Sequence, residues 1–90
     1  MRILKFGSQC CGPCKVMEEK FKKNPPSIEY QSLDVEDDSN EEVISQYNIK
    51  NLPTMILVDN SGTELERWNG IVNPELIEKS IKKYSADDIH

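Results

Sequence analysis

All three cysteines of the chain fall within five positions, inside the stretch SQCCGPCKVM at residues 8–17. Thiols this close can exchange with a disulfide or ligate a metal, and they are too close together to staple distant parts of a fold. Cys11 and Cys14 are spaced i, i+3, which makes them neighbours on a first helical turn, where a small adjustment brings the sulfurs to bonding distance. Gly12 gives that turn freedom, and Pro13 is tolerated there because its missing N–H loses no bond. At the helix N-terminus, unpaired N–H groups and the positive end of the dipole favour a Cys11 thiolate. Cys11 is therefore the expected attacking thiol, and Cys14, one turn deeper, the resolving one. A Cys10–Cys11 bridge would close a strained ring across one peptide bond, and a Cys10–Cys14 bridge would require the first turn to unwind. Cys10 is expected to pack as a small apolar side chain at the rim of the site; the alternative is an exposed thiol open to glutathionylation or to dimerisation.

The elements that must hold these thiols follow from periodicity. RILKF (2–6) is a short apolar stretch bounded by Gly7-Ser8 and is predicted to be a strand. Val16, Met17 and Phe21 then recur at helical spacing until Asn24-Pro25-Pro26 stops the helix. SIEYQSLDV (27–35) is predicted as a second strand. Ser39, with Glu42 three residues on, fits a capping box, and Val43, Ile44 and Tyr47 give the helix behind it one apolar face ending near Asn48. Residues 51–68 read as a hairpin, with TMILV and TELERW as strands and Asp59-Asn60-Ser61-Gly62 as turn chemistry. Gly70 marks a bend. Asn73-Pro74-Glu75 starts a last helix whose apolar face is Leu76, Ile77, Ile81 and Tyr84. Residues 1–84 are expected to form a single domain and residues 85–90 a flexible tail. The order is βαβαββα, an α/β fold with a four-stranded mixed sheet and helices on both faces. The opening strand–helix–strand implies a parallel pair with a right-handed crossover, which places the first strand inside the sheet. Its near-continuous apolar character agrees.

Ninety residues make one domain with one modest core. A net charge of −5 argues against nucleic acid as a partner. The longest apolar run, Met55–Val58, is far short of a membrane span. MRILKF does not read as a signal peptide, so a cytoplasmic location is expected, and in a reducing compartment a permanent structural disulfide is not. The remaining polar features carry no chemistry on this reading: EDDSNEE is a solvated turn and helix start, His90 is terminal, and Trp68 packs on a hairpin strand.

The combination of motifs resembles the thioredoxin family. Cys11-Gly12-Pro13-Cys14-Lys15 matches its CGPCK centre, Leu52-Pro53-Thr54 its hydrophobic-Pro-Thr loop, and Gly70 the glycine after the last strand. A Pro-Thr at a strand start about 40 residues after CGPC makes the match more specific than CGPC alone. The resemblance implies a thioredoxin fold, a Cys11/Cys14 dithiol–disulfide couple, and a cis Pro53 facing it. Leu52, Pro53 and Thr54 would then bind an extended substrate segment as an added strand, in a groove that includes Gly70; otherwise Pro53 merely starts an edge strand. It further implies disulfide-containing substrate proteins, thioredoxin reductase as electron donor, no cofactor, and a monomer.

Three departures stand out. The strand and helix that precede the cysteine strand in most members are not in this sequence, Cys10 replaces the tryptophan before CGPC, and Lys5 occupies the place of a buried aspartate six positions before Cys11. Without that carboxylate, proton transfer for Cys14 must use water or another group. An ammonium at Lys5 would favour thiolates and make the protein more oxidising; alternatively Lys5 snorkels its charge out of the sheet edge. Two other functions compete with this one. A glutathione-dependent glutaredoxin is disfavoured by CGPC and by Asn69-Gly70-Ile71 where that family carries Gly-Gly-Asp. A non-catalytic module would use the groove to bind a protein, or the cysteines to bind a metal, for which a second Cys/His group is lacking.

Overall fold

One strand, β1 (Arg2–Gly7), feeds two hydrophobic cores. Side chains alternate across a strand, so Ile3 joins Met17, Phe21, Met55 and Leu57 on one face, while Leu4 and Phe6 join Leu33, Tyr47 and Ile56 on the other. The computed structural model of the protein describes residues 1–87. After β1 come α1 (Gly12–Lys23), β2 (Tyr30–Asp34), a 3-10 turn (Asp38–Asn40), α2 (Glu41–Gln46), β3 (Thr54–Val58), β4 (Glu64–Asn69) and α3 (Pro74–Asp87). The sheet order is β2-β1-β3-β4. β1 pairs parallel with β2 and antiparallel with β3, and β3 pairs antiparallel with β4. The βαβαββα order and the central place of β1 are as the sequence predicts. α1 and α3 cover the Ile3 face and α2 the Phe6 face.

Local chemistry sets the boundaries. Asn24 closes α1 by donating its N–H to the Lys20 carbonyl at 2.9 Å, and the two prolines that follow cannot continue the helix. Asn73 caps α3 with its side chain, accepting from the Glu75 N–H at 3.0 Å. Asp59 gathers the β3–β4 turn by accepting from the backbone of Ser61 and Thr63, each at 2.9 Å, and its carboxyl lies below the usual range because the Ser61 hydroxyl and these amides donate to it. Trp68 packs against the Ile3-side core.

Several expectations are corrected. The second strand is shorter than 27–35, beginning only at Tyr30. The Ser39–Glu42 capping box does not form: Asp37 accepts from both the N–H and the hydroxyl of Ser39, at 3.0 and 2.8 Å, and α2 starts at Glu41, its N-cap Asn40 making no side-chain capping bond. Val16 and Leu76 lie at helical spacing but outside the cores, 44% and 52% exposed. The last helix runs on through Asp87 instead of stopping at Tyr84; of the expected tail, residues 88–90 lie outside the described residues. Among the described residues no helix is long and apolar enough to cross a membrane.

Candidate functional site

The register of the sheet decides which loops meet. Phe6 of β1 lies opposite Thr54 of β3, which lies opposite Asn69 of β4. The cysteine loop leaves β1 at Gly7, the Pro53 loop enters β3 at Thr54, and Gly70 follows β4. All three therefore sit at the same end of the sheet, although they are far apart in sequence.

At the cysteine loop, Cys11 is the N-cap of α1 and has extended backbone angles. Its sulfur accepts the N–H of Cys14 at 3.3 Å, one of the donors that a helix start leaves unpaired. Pro13 stands in the first turn, as expected. Ser8 organises the approach: its carbonyl accepts from the Cys11 N–H at 3.3 Å and its hydroxyl from the Cys10 N–H at 3.2 Å. All three cysteines carry free thiols, with Cys14 buried, Cys11 intermediate and Cys10 exposed. The expected packing of Cys10 at the rim is thus not what the structure shows. Its side chain stands in the loop before the helix, where no core element covers it.

Cys14 is 7% exposed and packs onto Gly7. A Cβ at Gly7 would sit 3.3 Å from the Cys14 sulfur, tighter than an ordinary contact, so a side chain at the end of β1 would press on the buried thiol. Gly7 is a site residue that motif reading misses. The signal available in sequence is a glycine at the last position of a central strand, a place where another atom approaches the backbone closely.

Burial pushes the Cys14 thiol up from its ordinary value, as do its hydrogen bond and charge interaction with Cys11; the Ser8 backbone and the Lys5 ammonium act the other way. The sign of the consequence is fixed. A thiol held protonated in the fold contributes stability below the unfolded thiol value, and this is lost as pH rises through the folded one. The stability advantage of the reduced protein over reduced Cys14→Ser should therefore decline from about pH 8.5 upward. Urea midpoints of the two proteins, taken from neutral pH to about pH 10, check this.

The Pro53 loop is held from two sides. The Leu52–Pro53 peptide is cis. The Pro53 carbonyl accepts the N–H of Gly70 at 2.8 Å, and Gly70 has φ +82°, a left-handed conformation that favours glycine. Buried Thr54 donates its hydroxyl to the Asn51 carbonyl at 2.6 Å and lies 2.9 Å from Asn69 Oδ1. Pro53 is fully buried and leads into an interior strand, so it does not start an edge strand. Asn69 is a second residue that sequence reading leaves out.

Lys5 is 8% exposed on the central strand, with Ser32 and Met55 beside it in the ladder. The expectation that it reaches out over a sheet edge is corrected: its side chain lines a cleft of about 510 Å³ together with Gly7, Cys14, Glu18, Ser32 and Asp34. Among the described residues no group of three or more His, Cys, Asp or Glu side chains is arranged to hold a metal ion.

The thioredoxin family model matches residues 1–83. The chain belongs to the thioredoxin family. It is 34% identical over 87 residues to Thioredoxin-1 of Caenorhabditis elegans, covering 93% of this chain and 73% of that protein. It is 27% identical over 91 residues to Protein disulfide isomerase-like 1-1 of Arabidopsis thaliana, covering 93% of this chain but only 18% of that much longer protein. The structure of reduced Schistosoma mansoni thioredoxin pre-protein superposes with a TM-score of 0.75 at 30% identity, covering 91% of this chain and 76% of the other. The α/β architecture is therefore the thioredoxin fold. The family and these relatives support a thiol–disulfide oxidoreductase kind of activity.

Proposed function

We propose that the protein reduces disulfides in other proteins by cycling Cys11 and Cys14 between dithiol and disulfide. The observation that carries this reading is the placement of Cys11 at the N-cap of α1, its sulfur accepting the Cys14 N–H, with buried Cys14 one turn behind it. Cys11 attacks a substrate disulfide and forms a mixed disulfide, releasing one substrate thiolate. Cys14 then attacks the Cys11 sulfur, closing the Cys11–Cys14 bond and releasing the second substrate thiolate. The substrate gains two electrons and the protein dithiol loses them. On this reading Leu52, Pro53 and Thr54 bind an extended substrate segment, Gly70 leaves the groove open, and thioredoxin reductase returns the electrons in a reducing compartment such as the cytoplasm.

The test equilibrates the protein across a dithiol/disulfide redox series, alkylates it, and maps which cysteines are protected. The expected result is one reversible two-electron couple joining Cys11 to Cys14, with Cys10 alkylated throughout. Absence of a Cys11–Cys14 bridge, or participation of Cys10 in its place, would overturn the reading.

A further inference from the structure

We propose that Lys5 is a positioning residue for the resolving thiol: from the cleft that both line, its ammonium favours the Cys14 thiolate that closes the disulfide. This inference rests on the redox reading above and deepens it.

Lys5 is a buried cation on a central strand, and the redox motif gives it no task. An ammonium out of water is costly unless something compensates it. Among the described residues the one ion pair joins Arg67 to Glu64, so no carboxylate pairs with Lys5. Among the described residues no buried side-chain nitrogen or oxygen is left without a partner, and no hydrogen bond is made by the Lys5 ammonium, so it reaches the solvent of the cleft. The same cleft is lined by Cys14 but not by Cys11. The Lys5 charge accordingly shares its solvent space with the resolving thiol, not with the attacking one. Its field opposes the burial that disfavours the Cys14 thiolate.

The other charges facing this space are Lys15 and Glu18 from α1 and Asp34 from β2, while Cys11 approaches from the loop. β3 presents uncharged Met55 opposite Lys5. Lys15 and Glu18 are exposed on the helix surface. Asp34 accepts the Glu36 N–H at 2.9 Å. Lys5 is the buried charge of the set.

The step affected is the second exchange. The Cys14 thiol gives its proton to cleft water, the thiolate attacks the Cys11 sulfur, the Cys11–substrate bond breaks, and the leaving substrate thiolate takes up a proton from solvent. Burial keeps Cys14 mostly protonated at neutral pH, so the Lys5 charge there changes the small reactive fraction, and hence the rate. The more oxidising potential expected from the sequence emerges only in alkaline solution, where the reduced state holds Cys14 as the thiolate.

The experiment uses Cys10→Ser protein, so that two thiols remain, reduced and mixed with one equivalent of a chromogenic aromatic disulfide (dithiobis-nitrobenzoate). Attack by Cys11 releases the first coloured thiolate in a phase that scales with concentration. Attack by Cys14 releases the second in a phase that does not. Lys5→Met keeps the length of the stem and removes the charge. It should slow the second phase severalfold near neutral pH and displace its pH profile upward, and leave the first phase unchanged. Lys5→Arg should restore the second phase. An unchanged second phase in Lys5→Met, or a second phase in Lys5→Arg as slow as in Lys5→Met, would overturn the inference while the oxidoreductase reading stood. Release of a single equivalent with no Cys11–Cys14 bond in the protein that retains Lys5 would instead overturn both.

Discussion

Cys11→Ser should reduce disulfide-reducing activity to background, whereas Cys14→Ser should attack substrate once and stall. The two outcomes differ because the two sulfurs are placed differently. Cys11 stands at the open end of α1, where the Cys14 N–H donates to it. A hydroxyl there can still cap the helix, since serine is a good N-cap residue, so the variant should fold. It cannot take part in thiol–disulfide exchange, which requires a sulfur nucleophile. Cys14 is buried against Gly7 and offers little surface to a bulky substrate. In the proposed cycle its partner is the Cys11 sulfur once that sulfur is bound to substrate. With Cys14 replaced, the mixed disulfide has no intramolecular exit and persists. Mass spectrometry of Cys14→Ser incubated with a disulfide-containing protein should find one adduct per chain, through Cys11, released by dithiothreitol. An adduct on Cys10 would show that the exposed thiol is the working nucleophile. Turnover by Cys11→Ser at the parent rate would lead to the same conclusion.

Much of this arrangement is legible in the sequence because it rests on local rules. β1, α1, the hairpin and the start of α3 follow from apolar period, proline placement and an Asn-Pro helix start. Cys11, Cys14, Pro53 and Gly70 follow from motif spacing. The misreadings have a common physical origin: each depends on what a neighbour in space does. Ser39 has the right spacing for a capping box, yet Asp37, only two residues before it, captures its hydroxyl first. Val16 and Leu76 fit a helical period, but the sheet under α1 and α3 is only four strands wide and covers only part of each helix. Cys10 is an apolar residue type beside the half-buried Cys11, and only the path of the loop shows that it stands exposed. Lys5 lies on a strand that the crossover already places inside the sheet, but only the packing of α1 and β2 around it shows that its side chain lines a cleft shared with Cys14. Gly7 and Asn69 act through close contacts with Cys14 and Thr54, residues whose proximity no local pattern encodes.

Phe6→Ala should be the most damaging single truncation on the α2 face, costing about 3–5 kcal/mol. Phe6 has no exposed surface, and its ring packs tilted against Tyr47 with centroids 6.4 Å apart. Tyr47 ties several pieces together. Its hydroxyl donates to the Gly62 carbonyl in the β3–β4 turn, and its own carbonyl accepts from the Arg67 guanidinium on β4. α2 is six residues long and lacks a side-chain cap, and a helix of that length does not persist on its own propensity. Its place is set by Tyr47, Val43 and Ile44 packing on Leu4 and Phe6. Removing the Phe6 ring thus leaves a cavity and also loosens the helix that leads into the Pro53 loop. Against a total stability of about 5–15 kcal/mol for a small domain, the loss is a large share. Phe6→Leu keeps most of the volume and should cost about 1 kcal/mol. Urea unfolding followed by the fluorescence of Trp68, the one tryptophan of the chain, measures both variants from the opposite face of the sheet. A cost for Phe6→Ala no larger than that for Phe6→Leu would mean that the α2 face collapses around the gap. The position of the Pro53 loop would then depend on its Gly70 and Asn69 contacts instead of on the helix behind it.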